Sequence, residues 1–357
     1  MPKFHTLTVV EIRRETPACV SIAFDVPEAL REEYRFTQGQ FLTLKTTLDG
    51  EEVRRSYSIC SSPLEQGLRV AVKKIPEGRF SSFANETLKA GDQLEVMTPM
   101  GNFNTALDPA NRKHYVAFAA GSGITPILSI LKTTLSLESH STFTLFFGNR
   151  TVDSIIFREE LEGLKNLYLG RLSIFHILSG EDQGSELLSG RIDGKKCETI
   201  FTRLLDPEDV DEVFLCGPES MIHSVSEYLQ HRGIDRRQIH AELFTTGLSP
   251  EHRRHAPWKA EKPAFQAQVT VRLDGNTFRF SMDSTQETIL NAALRAGADL
   301  PFACKGGVCC TCRARISEGK VTMEVNYALE PEEVAAGYAL TCQSHPLTES
   351  VFVDFDA

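Results

Sequence analysis

The chain has 357 residues, 41% of them apolar and 24% charged, with a formal net charge of −10. That length exceeds an ordinary single domain, so two or three domains of a soluble globular protein are expected. The acidic balance argues against a nucleic-acid or anionic-membrane partner. No apolar h-region opens the chain and no run of about 18 uncharged apolar residues occurs, so a cytoplasmic protein is the expectation.

The first hundred residues alternate like strands at FHTLTVVEI, FLTLKTTL and LRVAVKKI, as in an antiparallel barrel. Asp49-Gly50 marks a hairpin, and a short helix is expected around Ser81–Leu88. From about residue 112 the rhythm changes. YVAFAA is a continuous apolar run suited to a strand buried on both faces, and PILSILKTTLSL follows as a helix with Pro126 in its first turn. Strand TFTLFFG, helix IIFREELEGL, strands LSIFHIL and VFLC, helix ESMIHSVSEYLQ and strand IHAELF come next. Strands alternating with helices predict a parallel sheet covered on both faces.

Residues 247–264 are rich in proline and charge and lack periodicity, which reads as a linker. A second Asp-Gly hairpin lies in QVTVRLDGNTFRFSM. Ser284-Thr285-Gln286-Glu287 has the pattern of a capping box ahead of a helix that Gly297 ends. The strand SVFVDF closes this part. The expected division is 1–108 for the barrel, 109–246 for the α/β part, a linker at 247–264 and a third domain over 265–357.

CKGGVCCTC, residues 304–312, gathers four of the nine cysteines. Clustered cysteines in a reducing compartment point to metal or catalysis rather than disulfides. Cys304, Cys309, Cys312 and the distant Cys342 have the C-x4-C-x2-C…C spacing of plant-type [2Fe-2S] ligation. Gly306 and Gly307 let the backbone wrap close to the sulfurs. Zinc is the rival, but its usual pair of C-x2-C knuckles is missing. Cys310 is surplus, either a small side chain packed beside the cluster or a spare thiolate. Cys19, Cys60 and Cys197 have no partner pattern and read as inert.

Two further segments are of nucleotide type. AAGSGITP, 119–126, sits at a strand-to-helix turn, where Gly121 and Gly123 let backbone N–H groups approach a pyrophosphate. Alone it is a weak signal, because Pro126 stands where the Rossmann fingerprint has its third glycine. Arg55-Ser56-Tyr57-Ser58 places a cation and an aromatic ring on one strand face, and Gly78-Arg79-Phe80-Ser81-Ser82 opens a short helix toward phosphate. A polar strand with a structural tyrosine is the simpler reading of the first segment in isolation.

RSYS, GRFSS, AAGSGITP and the CGP at 216–218, in this order and spacing, resemble the ferredoxin–NADP⁺ reductase superfamily, here with a C-terminal plant-type ferredoxin domain. The resemblance covers nearly the whole chain. Stretches such as YRFTQGQ, GNRT, SGRIDG and LRAGADLPFACKGGVC are similar to the reductase subunits of multicomponent di-iron epoxidases of aromatic-acid catabolism. It implies a flavin β-barrel, an α/β nucleotide domain and a β-grasp ferredoxin domain. It also implies an oxidoreductase passing electrons from NADPH or NADH through FAD and a [2Fe-2S] cluster to an oxygenase partner. Reductases for Rieske ring-hydroxylating oxygenases or steroid hydroxylases share these motifs, and a redox sensor without turnover would be expected to lack the flavin ones.

By position, the resemblance implies that Arg55 holds the FAD phosphates, Tyr57 stacks on the isoalloxazine and Ser58 bonds near its N5. Gly78, Ser81 and Ser82 would cover the FAD pyrophosphate. Gly121, Gly123, Ile124 and Thr125 would cradle the nicotinamide dinucleotide, with Cys216 and Gly217 beside the nicotinamide, while Glu242 and Phe244 match the E-x-F placed against the flavin. Cys216 also fits a plain buried strand-end cysteine. The family's Pro-Gly-Gln appears as Gln38-Gly39-Gln40. Its Ser-Arg pair for the 2′-phosphate of NADP appears as Ser179-Gly180, leaving Arg150 and Arg191 to replace the cation.

Overall fold

The computed structural model describes residues 3–244 and 264–357. The expected linker, 247–264, lies outside the described residues except for Ala264. The chain forms two compact units, Phe4–Phe244 and one that contains the C-terminal part.

The first unit begins with β1 (Phe4–Thr16), β2 (Cys19–Asp25), β3 (Phe41–Leu48), β4 (Glu51–Ser58), β5 (Leu68–Lys73), α1 (Arg79–Glu86) and β6 (Gln93–Met97). The strands form one antiparallel sheet in the order β4-β3-β6-β1-β2-β5, and an Ile59–Val70 bridge joins its two ends into a barrel. Leu7, Val9, Ile22, Leu42, Leu44, Val70 and Val96 fill the interior. Asp49 and Gly50 both have positive φ, 52° and 78°, as a two-residue type I′ turn requires. Gln38-Gly39-Gln40 is tightly fitted. A Cβ on Gly39 would stand 1.9 Å from the Phe103 carbonyl oxygen, and the buried Gln38 amide donates to Thr105 O at 3.0 Å.

The unit continues with β7 (His114–Ala120), α2 (Ile124–Leu137), β8 (Thr142–Asn149), α3 (Arg158–Leu167), β9 (Leu172–Leu178), α4 (Gly194–Arg203), β10 (Glu212–Gly217), α5 (Glu219–His231) and β11 (Ile239–Leu243). Its five strands are all parallel, in the order β11-β10-β7-β8-β9. Two departures from expectation have clear causes. The helix expected from Ile155 starts only at Arg158, because Ile155, Ile156 and Phe157 are buried in the core and Phe157 turns left-handed at φ 60°. The helix α4 is the second departure, absent from the sequence reading. It supplies the crossover that two parallel strands of one sheet need, and its Asp193 cap accepts from Lys196 N at 2.8 Å.

Glu138, fully buried just after α2, ties the entry of this sheet together. Its carboxylate accepts from Asp108 N at 3.0 Å, Asn111 Nδ2 at 2.7 Å, Tyr115 Oη at 2.9 Å and Ser141 Oγ at 2.7 Å. Glu138→Ala would strand these donors and is expected to cost about 3 kcal/mol, visible as a lower urea midpoint. Glu138→Gln should recover only part of the loss.

The C-terminal part comprises β12 (Gln266–Leu273), β13 (Asn276–Asp283), α6 (Ile289–Arg295), β14 (Arg313–Glu318), β15 (Val321–Met323), α7 (Pro331–Ala335), β16 (Tyr338–Leu340), β17 (Ser344–Pro346) and β18 (Ser350–Asp354). Its main sheet runs β13-β12-β18-β14-β16, with β18 parallel to β12 and antiparallel to β14. Asp274 and Gly275 again turn with positive φ. The capping box expected at Ser284–Glu287 does not start α6. Asp283 takes the Thr285 amide and hydroxyl, both at 2.8 Å, and Thr288 caps the helix instead. Gly297, at φ 94°, ends it as expected.

Candidate functional site

The strand β4 carries Arg55 and Tyr57 on one face. Arg54, on the other, is buried and paired with Glu52. The Arg55 guanidinium folds onto the Arg54 carbonyl at 2.7 Å. The Tyr57 ring lies 5.4 Å from Phe80, the second residue of α1, and burial raises its phenol pKa. Gly78 caps α1. A Cβ there would stand 2.3 Å from Ser81 Oγ, which bonds the Gly78 carbonyl at 3.1 Å. Arg55, Ser56, Tyr57, Gly78, Ser81 and Ser82 therefore belong to neighbouring ends of β4 and α1.

On the parallel sheet, Gly121–Gly123 form a tight turn between β7 and α2. Gly121 has φ 55°, and a Cβ on Gly123 would stand 2.1 Å from the Cys216 carbonyl oxygen. A Cβ on Gly217 would meet Met221 Cε at 2.7 Å and Ala120 Cβ at 3.1 Å, so the ends of β7 and β10 touch through glycine. Ile124 is buried, and the Thr125 hydroxyl donates to Ser122 O at 3.0 Å. In register, Cys216 faces Glu242 on β11. Phe244 packs against the core below.

The link between the two sheets is Ser58, whose hydroxyl donates to Glu242 Oε2 at 3.1 Å. Ser58 and Glu242 thus meet across 184 residues of sequence, and Cys216 is the register partner of Glu242. Burial lifts the Glu242 carboxyl from 4.5 to about 8, against the opposing bond from Ser58, and drives the Cys216 thiol well above its usual value. A carboxyl raised in the folded state binds its proton more tightly there. Its stabilisation is full below about pH 4.5 and is lost as pH climbs through about 8. Flavin-free protein is therefore expected to lose thermal stability between these pH values, at a slope approaching ~1.4 kcal/mol per unit. Glu242→Gln should flatten that profile in pH-resolved melting.

In the C-terminal part, the four spaced cysteines converge. Cys304 accepts from Gly306 N at 3.3 Å, while Cys304 N reaches Cys309 Sγ at 3.5 Å and the Gln343 amide reaches Cys342 Sγ at 3.7 Å. Bonds from the Cys309 and Cys342 thiols hold the Cys304 pKa low, and Cys342 does the same for Cys312. Among the described residues no group of three or more His, Cys, Asp or Glu side chains is set to cage a single ion. Cys310 differs. Its Sγ donates to Ala328 O at 3.1 Å, burial pushes its thiol up to about 12, and its backbone is left-handed at φ 53°.

Three family descriptions match successive parts of the chain: an oxidoreductase FAD-binding domain over 6–105, an oxidoreductase NAD-binding domain over 118–227 and a 2Fe-2S iron-sulfur cluster binding domain over 271–347. One component of the 1,2-phenylacetyl-CoA epoxidase of Escherichia coli (strain K12) is 48% identical over 100% of this chain and 99% of its own. The chain belongs to the ferredoxin–NADP⁺ reductase superfamily, in its branch with a C-terminal [2Fe-2S] domain. The ferredoxin reductase component of a 3-ketosteroid-9-alpha-monooxygenase from Rhodococcus rhodochrous is 34% identical, covering 98% of this reductase and 96% of its own length. Phthalate dioxygenase reductase shares the fold, with TM-score 0.59, 20% identity and coverage of 99% and 98%.

The reductase's residues fit the groups these domains take. Gly121 and Gly123 let the turn's backbone approach closer than a side chain would allow, with Lys73 Nζ 3.3 Å and Cys216 O 2.1 Å from where their Cβ atoms would be, and the Cys304 and Cys309 sulfurs accept from backbone N–H groups, as thiolate ligands do. At the far rim of the nucleotide part, the Arg150 side chain lies over Gly180, where a Cβ would stand 2.9 Å from its Cγ. Glu181 accepts from Val152 N at 3.2 Å beside it, and Arg191 is exposed. One residue escapes the sequence reading. Lys73, at the end of β5, places Nζ 3.3 Å from where a Cβ on Gly121 would be, bringing a cation from the barrel to the glycine turn. Its only signal is a lysine closing an alternating strand next to a turn.

Proposed function

We propose that this reductase serves the oxygenase component of a phenylacetyl-CoA epoxidase, a di-iron enzyme of phenylacetate degradation, in the cytoplasm. The observation that carries this is the 48% identity, over the full length of both chains, to the Escherichia coli epoxidase component. When bound, NAD(P)H supplies a hydride, and FAD with the [2Fe-2S] cluster turns that two-electron input into single-electron output. The chain's own residues bind, orient and shield. The flavin part is assigned to 1–108, the nucleotide part to 109–246 and the ferredoxin part to 265–357, joined through 247–264.

Arg55, Ser56 and Tyr57 with Gly78, Ser81 and Ser82 hold FAD. Gly121, Gly123, Ile124, Thr125 and Gly217 hold the dinucleotide. Ser58, Cys216 and Glu242 line the reacting edge, with Phe244 behind them, and Cys304, Cys309, Cys312 and Cys342 hold the cluster. The Ser58–Glu242 bond supports this, because it brings a flavin-side and a nucleotide-side strand to one point. Arg150, laid over Gly180, supports NADPH as the preferred donor. Steady-state kinetics with both nucleotides test that choice, and a strong NADH preference contradicts it. Reconstitution with the epoxidase oxygenase and with Rieske and steroid oxygenases tests the partner. Electron delivery only to a steroid oxygenase would favour the second reading, which the 34% identical steroid-monooxygenase reductase supports.

A further inference from the structure

Between the two sheets of Phe4–Phe244 lies a cluster of ionic side chains to which nothing above gives a task. Lys132, in the third turn of α2, is buried, and its Nζ donates to Glu65 Oε2 at 2.7 Å and to Glu160 Oε1 at 2.9 Å. Arg69 of β5 grips the same Glu160 through Nη2, at 2.8 and 2.6 Å to its two oxygens. Burial would raise the Glu160 carboxyl, but Lys132 and Arg69 outweigh it and hold the group below its usual range. The Arg69 guanidinium also lies 5.3 Å over the ring of Phe157, the left-handed residue just before α3. Two neutral bonds flank the charges: Ser129 Oγ to Ser61 O at 2.7 Å, and the Ser62 and Thr133 hydroxyls at 2.8 Å.

Arg69 and Lys73 belong to one strand, Lys132 and Thr125 to one helix. Along β5 the span is ~13 Å, and along α2 ~10 Å. At one end of this pair of struts Lys73 meets the glycine turn, and at the other Arg69 and Lys132 meet on Glu160. The strand belongs to the sheet that carries the flavin-side residues, and the helix begins at the nucleotide turn. Hydride transfer needs donor and acceptor atoms held about 3–3.5 Å apart. The quantity that matters is therefore the setting of α2 against β5. A buried ionic cluster suits that task, since separating its members leaves uncompensated charge and only one arrangement satisfies all of them.

We propose that Lys132, Glu160 and Arg69 form a positioning device for hydride transfer, fixing the glycine turn relative to the flavin-side strands. The inference rests on the reductase reading above. The test uses FAD- and cluster-loaded protein carrying Lys132→Met, with Lys132→Arg as the conservative variant. Anaerobic stopped-flow at saturating NADPH should show flavin reduction slowed roughly 10- to 100-fold in Lys132→Met, with nucleotide affinity little changed. Long-wavelength charge-transfer absorbance with NADP⁺ should weaken, amides 121–125 should exchange hydrogen faster without nucleotide, and Lys132→Arg should restore most of the rate. A folded, flavin-replete Lys132→Met protein that melts lower yet reduces flavin within twofold of the parent overturns the proposal. If Lys132→Met does not fold, Glu160→Gln keeps the shape and is read by the same criterion. A parent that oxidises neither NADPH nor NADH would instead sink the reductase reading.

Discussion

Cys304→Ala, Cys312→Ala and Cys342→Ala proteins are each expected to lose the visible absorption of the cluster and its iron, whereas Cys310→Ala keeps both. The reason is directional. The segments carrying the first three lie side by side, with Thr341 N donating to Cys312 O at 3.1 Å, the Gln343 amide to Lys305 O at 2.9 Å, and Cys304 N reaching Cys309 Sγ. The Cys310 thiol donates away from them, to the Ala328 carbonyl at 3.1 Å. Making Cys310 a ligand would mean breaking that bond and turning a left-handed residue over, so it is also expected not to rescue Cys309→Ala. Absorption spectra and iron content of the five purified variants decide the matter. A bleached Cys310→Ala protein would sink the assignment.

Gly123→Ala is expected to fold with FAD bound yet reduce it about 100-fold more slowly with NADPH. A methyl group there would stand 2.1 Å from Cys216 O, 2.5 Å from its carbonyl carbon and 3.0 Å from Gly217 N. All three are backbone atoms that cannot rotate away, so the turn or the end of β10 must move. A displacement of ~1 Å in a reacting geometry costs about 10²-fold in rate. Gly123 itself has an ordinary helical φ of −61°, so the effect is one of space and not of backbone strain. Gly163→Ala, on the open face of α3 where a Cβ meets nothing within 4 Å, is the control and should leave the rate unchanged. Equal rates for Gly123→Ala and the parent would show that the turn does not govern the nucleotide's placement.

Local chemistry is readable where one residue type has few alternatives. Both Asp-Gly turns have the positive φ pair that their hairpins demand, and period-two alternation puts Arg55 and Tyr57 on one face. What misleads is competition among neighbours. Asp283 takes Thr285 before any capping box can form, and the buried Phe157 delays α3. The helix α4 has only Cys197, Ile200, Phe201 and the stem of Lys196 buried, too sparse a stripe to stand out. Contacts across the fold lie beyond any spacing rule. Ser58 and Glu242 come together in the sequence reading by resemblance alone, and the Lys132 cluster, drawn from four separate segments, has no linear signature.

The position of β18 bears on how the C-terminal part is made. It stands in the middle of its sheet, holding β12 on one edge and β14 on the other. During synthesis the ribosome delivers β12, β13, α6 and the cysteine loop long before residues 350–354, so until then the sheet is two unjoined halves. A chain truncated before Ser350 is therefore expected to take up iron poorly however complete its cysteines, because nothing joins β12 to β14.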